Sequence, residues 1–316
     1  MITLDAIYIL AGLFFAAITL FSALDATNTK RWRNTLFWGL LSGSFLFGSH
    51  LGDFNNGLLA IGLVAVGGFG LGKGEAKTTT PEERRARAEK RGNALFLPAL
   101  IVPVFTLFGA LVLKDVEING APLFEARQAT LISLAIGATL ATLVAMAWLR
   151  PPLAAPIQES RRLLDTVGWA ALLPQMLASL GAVFALSGVG DAVGSLVSQI
   201  IPVTNTFAVV AAYCIGMALF TIIMGNAFAA FPVMTAAIGL PLIVNRFGGD
   251  PAIMGAIGML SGFCGTLMTP MAANFNLVPA ALLNLDRDAV IRAQIATAIP
   301  LLIVNTLLMY FLVFRF

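Results

Sequence analysis

Two interruptions in long apolar sequence hold the residues of this chain best suited to gripping a small ion. The first is Met224-Gly225-Asn226-Ala227-Phe228-Ala229-Ala230-Phe231-Pro232. Gly225 can take a positive φ, and Asn226 tolerates a turn and can bond backbone or ligand. Ala227 and Ala229 allow close approach of a neighbouring backbone. The second runs from Gly262-Phe263-Cys264-Gly265-Thr266 through Thr269-Pro270 to Asn274-Phe275-Asn276. Pro270 lacks an N–H and pushes Thr269 away from α geometry, and Gly262 and Gly265 loosen the preceding turn. A half-helix opening at Pro270 would present free N–H groups and a positive dipole end, which suits a carboxylate. The binding set expected from these breaks is Gly225, Asn226, Ala227, Thr266, Thr269, Pro270, Asn274 and Asn276. Plain kinks in packed helices are the simpler reading of each break taken singly.

Other reactive side chains are sparse. Asp5, Asp53, Asp165 and Asp191 all fall at the ends of apolar runs, so no carboxylate pair lies mid-span and no hydrolytic machinery is evident. His50, with Ser49 and Asp53, is the one histidine-bearing cluster and sits at an expected membrane edge. Cys214 and Cys264 lie inside apolar stretches without CxxC or Cys/His spacing, which indicates neither a disulfide frame nor a zinc site. Gly67-Gly68-Phe69-Gly70-Leu71-Gly72 resembles a phosphate loop, but no strand precedes it, and small residues for helix packing explain it better. Ser187 to Asp191 reads as the cap of a short connecting helix over 192–201. These features give no reason to expect an enzyme, a metal centre or a nucleic-acid ligand.

The elements that must position the two breaks are membrane spans. Of 316 residues, 59% are hydrophobic and 11% charged, against roughly 25% charged in soluble domains. The mean hydropathy is +0.90. A spanning helix needs about 20 mostly apolar residues, and such runs fall near 4–24, 36–51, 57–72, 94–113, 129–149, 166–186 and 289–314. The first 24 residues contain no Lys or Arg, so their apolar run reads as a span and not as a cleaved signal peptide. A re-entrant hairpin is expected over 206–244 and a broken helix over 252–283. The fold class is therefore an all-α polytopic membrane protein with about eight spans plus the hairpin. A five-helix block over 1–155 precedes a compositionally distinct block over 156–316, richer in Gly, Pro and Asn. The charged stretch 73–93 is a cytoplasmic connector in which Thr80 can cap a helix opening at Pro81.

Charge sets the orientation. With both termini outside, 15 of the 19 basic residues fall in inner loops, and only Lys114, Arg127, Arg246 and Arg315 lie outside. This is the positive-inside bias.

At the two breaks the chain resembles the C-terminal half of ion transporter superfamily carriers, which include dicarboxylate and gluconate permeases. In those carriers a Ser-Asn-Thr-like hairpin tip and a Thr-Pro-bearing unwound helix hold a carboxylate and a coupling ion. Residues 165–316 carry the likeness, including the run from Leu180-Gly181 to Gly190-Asp191. Gly225 and Ala227 stand where that motif has Ser and Thr. More narrowly, the whole chain resembles the bacterial domain-of-unknown-function family 979. That resemblance implies a smaller membrane subunit as partner and 5-oxoproline as substrate. The expected function is thus one subunit of a secondary carrier for a small carboxylate, working by alternating access, with Na+ or H+ open as the coupling ion. Only one hairpin and one broken helix are found, and carriers of this kind pair two inverted halves, so either the first five spans hide a degenerate second half or, the favoured reading, the partner brings it. A non-transporting scaffold, an intramembrane enzyme and a channel are the competing readings.

Overall fold

The computed structural model describes residues 1–75, 79–118, 120–125, 127–200, 202, 204–286 and 288–315. Within its helices the side chains of Pro81, Pro174, Leu177, Ala178, Ala185, Ser198, Ile200, Ala273 and Asn274 lie outside that description. Lys77 and Arg287, which the charge-bias expectation used, lie outside the described residues. The described chain is an all-α membrane protein, its only named strands being the short antiparallel pair β1 (Glu117–Ile118) and β2 (Ala121–Pro122). Seven helices are long and apolar enough, by length and composition, to cross a membrane. The chain divides into two compact units, Met1–Gly168 and Trp169–Phe316.

The first unit contains α1 (Leu4–Leu24), α2 (Arg31–Gly68), α3 (Pro81–Arg91), α4 (Leu97–Leu111), α5 (Ala129–Leu149) and α6 (Ala155–Val167). The run α2 is counted once as a span but doubles back at Gly52, where φ 70° and ψ 165° break the helix. The return is visible in the contacts: Asn56 Nδ2 donates to the Gly48 carbonyl at 2.8 Å, and Gly62 approaches Leu40. The two spans expected here are thus joined by a one-residue break in place of a loop, because glycine alone takes that φ without strain. Phe37, Trp38, Ile18 and Ile132 are fully buried. Ser42 donates to the Gly12 carbonyl at 2.8 Å and fastens α1 to α2. Small residues set the α4–α5 contact, with Gly109 against Ser133 and Gly137 against Val102 and Phe105, as expected where lipid supplies no hydrophobic drive. The soluble helix α3 opens with a full capping box between Thr80 and Glu83; this offsets two of the donors left unpaired at a helix start.

The second unit contains α7 (Leu173–Leu186), α8 (Val189–Ile200), α9 (Thr206–Met224), α10 (Ala227–Met234), α11 (Pro251–Thr266), α12 (Val278–Leu282) and α13 (Ala289–Leu312). A π-helical run, Thr235–Arg246, continues α10, and a shorter one, Ala273–Leu277, leads into α12. The connecting helix expected at 192–201 opens at Val189, with Asp191 in its first turn. A core of Val209, Tyr213, Met217, Met234, Ile238, Ile243, Met254 and Met309 joins α9, α11, α13 and the π-run. Dense apolar packing of this kind holds both breaks at fixed positions.

Candidate functional site

The hairpin closes through Gly225. The last turn of α9 ends when Gly225 enters the left-handed region at φ 75°, its N–H donating to the Thr221 carbonyl at 2.7 Å. Asn226 then takes extended geometry and caps α10, its Oδ1 accepting from the Phe228 N–H at 2.8 Å. A β-carbon on Gly225 would lie 2.5 Å from Met271 Cβ and 3.0 Å from the Met271 carbonyl group. The hairpin tip therefore rests directly on the second break, with room only for glycine.

Thr269 completes the junction. Its hydroxyl is 1% exposed at residue level and donates to the Ile222 carbonyl at 2.8 Å, while accepting from the Met271 N–H at 3.2 Å. That bond satisfies a carbonyl near the end of α9. Asn276, fully buried, sends both amide hydrogens to the carbonyls of Thr266 and Thr269, at 2.8 and 2.7 Å. It thereby holds the unwound link between α11 and the π-run, where backbone pairing is incomplete. Thr266 is turned back on its own helix, its hydroxyl donating to the Phe263 carbonyl at 2.7 Å. Ala227 packs against Gly262, whose β-carbon would stand 3.0 Å from it.

The two breaks expected from the sequence thus meet in one place, and Gly225, Asn226, Ala227, Thr266, Thr269 and Asn276 are all found there or on the helices that frame it. Pro270 lies in the irregular link. Asn274 belongs to the π-run by backbone, and its side chain lies outside the described residues. Two details differ from expectation. The second arm opens at Ala273 and not at Pro270, because the Asn276 amide occupies the carbonyls just before that point. Gly262 and Gly265 do not loosen a turn; they sit inside regular α11 and admit the neighbouring α9, Gly265 lying against the Ala218 carbonyl.

Two participants escaped the sequence reading. Thr221 is fully buried and its hydroxyl oxygen has no hydrogen-bond partner, nor has Asn276 Oδ1. Unpaired buried polar atoms cost about 1–3 kcal/mol each, so this region carries unmet demand for a polar or charged guest. Thr221 could have been noticed by its spacing, one helical turn before Gly225. The second is aromatic: Phe263 pairs edge-on with Phe228 of the tip at 5.9 Å and tilts against Phe275 of the π-run at 6.2 Å. Neither 206–244 nor 251–285 contains a charged residue, so the local field comes from helix ends, amides and hydroxyls.

Comparison with known proteins names no activity. No curated protein and no solved structure matches the chain. The model of the family described as protein of unknown function (DUF979) matches residues 5–314, nearly the whole sequence, and the chain belongs to that family.

Proposed function

We propose that this chain is one subunit of a secondary active transporter for a small carboxylate. The observation that carries the reading is the seating of the Gly225–Asn226 tip on the Thr269–Met271 link, each at a helix break. Discontinuous helices that meet in this way form binding sites in many secondary carriers. A neutral site favours a carboxylate only weakly by itself, since a buried charge needs a counter-charge. A cation bound alongside would supply it, and the unpaired Thr221 and Asn276 oxygens are suited to one. Na+ and H+ are the candidates. The family resemblance makes 5-oxoproline the first substrate to test.

A second, smaller membrane subunit supplies the inverted half on this reading, since a second copy inserted in the same orientation cannot. The membrane is the bacterial cytoplasmic membrane, with both termini outside. The test is uptake of labelled carboxylates into vesicles containing this chain with and without co-expressed candidate subunits. Saturable uptake with counterflow, requiring both chains, is the expected result. Full-rate uptake by the lone chain would remove the partner requirement, and uptake by neither arrangement for any carboxylate would favour a scaffold.

A further inference from the structure

A second polar cluster lies in the first unit, far along the sequence from the two breaks. Arg161 and Asp165 stand one turn apart on α6, and Asp25 follows α1. Arg161 donates from one terminal nitrogen to Asp25 Oδ2 at 2.6 Å and to the Phe21 carbonyl at 3.2 Å. Asp165 Oδ1 accepts from Asn34 Nδ2 at 2.8 Å and from Trp38 Nε1 at 3.3 Å. All three charged residues are more than nine-tenths buried, and Arg161 Nε has no partner.

A strap, residues 69–75, covers the cluster. Asn34 pairs with it in both directions, donating to the Gly72 carbonyl and accepting from the Gly72 N–H, each at 2.8 Å. The Glu75 N–H donates to Thr27 Oγ1 at 2.8 Å. Gly72 lies against Asn28 and Gly74 against Asp25, closely enough that neither position admits a β-carbon. The glycine run Gly67 to Gly72 therefore serves at its far end as a covering strap, and not solely in helix packing.

Among the described residues the charges do not balance. One guanidinium serves two carboxylates, and Asp25 already holds the short contact. The groups bonded to Asp165 from α2, Asn34 and Trp38, are neutral, as is Gly72 of the strap, which pairs with Asn34. Lys30, Arg33, Lys73 and Glu75 are exposed, and Arg162 pairs with Glu159 at 2.7 Å on the wetter side of α6. A second buried anion in this setting is costly unless it takes up a proton. The geometry points to Asp165 as a proton-binding site whose occupancy keeps the 69–75 strap closed. Ionisation would demand water at the carboxylate, and the strap is what excludes it. Burial, the largest influence, raises the Asp165 carboxyl above its ordinary value, with Trp38, Asn34 and Arg161 opposing. The folded form thus holds the proton more tightly, so strap closure is fullest at low pH and weakens as pH rises through the folded value.

Hydrogen exchange of the purified chain tests this. Protection of the Gly72 and Glu75 amides, after division by the intrinsic exchange rate, should fall by up to about tenfold per pH unit as pH rises toward the closed-strap midpoint of Asp165, the slope for one linked proton, and level off above it. Asp165→Asn keeps the acceptor oxygen and should make the profile flat. Infrared spectra should show a protonated-carboxyl band that the variant lacks. If that variant fails to fold, Trp38→Phe removes a donor that favours the ionised form, and should move the midpoint to higher pH. Protection independent of pH in the parent chain, or an unmoved midpoint in Trp38→Phe, would overturn the assignment.

Discussion

The Thr269 hydroxyl donates to the Ile222 carbonyl across 2.8 Å, joining two helix breaks that stand 47 positions apart in sequence. One side chain thus serves as both brace and wall of the candidate site. Thr269→Val keeps the shape and deletes the hydroxyl, leaving the Ile222 carbonyl and the Met271 N–H without it. A loss of about 1–3 kcal/mol is expected, read as a lower melting temperature in detergent. Thr269→Ser should retain most of the stability.

Gly225→Ala faces two obstacles, a positive φ and the Met271 side chain. The substitution should destabilise the second unit and abolish any uptake that the parent complex shows. Adding Met271→Gly should recover only part of the loss, because it removes the Cβ contact and leaves the Met271 carbonyl contact and the backbone strain. Melting curves of the two variants decide this, and full recovery would place the whole cost in the clash.

Asn226→Ala removes the α10 cap but no core volume. Losing a cap costs about 0.5–2 kcal/mol, so the protein should still reach the membrane. If the amide also contacts the substrate, transport affinity should weaken roughly 5–150-fold, the equivalent of one polar contact. Uptake kinetics at matched protein levels separate the two effects.

The Asp25–Arg161 pair predicts an acid limit to stability. Burial raises the Asp25 carboxyl, but hydrogen bonds from Thr27 and Arg161 outweigh it and hold it below the ordinary value of 3.8. A lowered folded value means the stabilisation is present above pH 3.8 and is lost as pH falls through the folded value. Arg161→Met leaves Asp25 buried and unpaired, and should cost about 3–5 kcal/mol at neutral pH. Thermal unfolding followed against pH should show the parent losing stability on acidification, and the Asp25→Asn variant losing less.

Topology is open to a labelling test. Ala88 is exposed on α3, and both native cysteines are buried. Ala88→Cys in intact cells should resist an impermeant thiol reagent and react after permeabilisation. Ready labelling from outside would reverse the orientation inferred from the basic residues.

By itself the sequence determined that this is a helical membrane protein, and roughly where several spans begin and end, although the span expected at 166–186 is a 14-residue helix from Leu173 to Leu186. Runs of about 20 apolar residues have no other stable home, and α1, α5 and α9 follow those runs closely. It also marked both breaks, because glycine and proline act through local backbone geometry that no distant contact alters. Three things needed the tertiary structure. Contact between the Gly225 tip and Met271 depends on how α9, α10 and α11 pack. The place where the second arm opens depends on a side chain, Asn276, reaching back to two carbonyls. The burial of Arg161 and Asp165 was illegible, since both stand at the end of an apolar run where charged residues are ordinarily wet. Their contacts with α1 and α2, and the return of the 69–75 strap onto Asn34, bring that burial about. Local signals fix elements, whereas desolvation and pairing arise from segments that the chain brings together last.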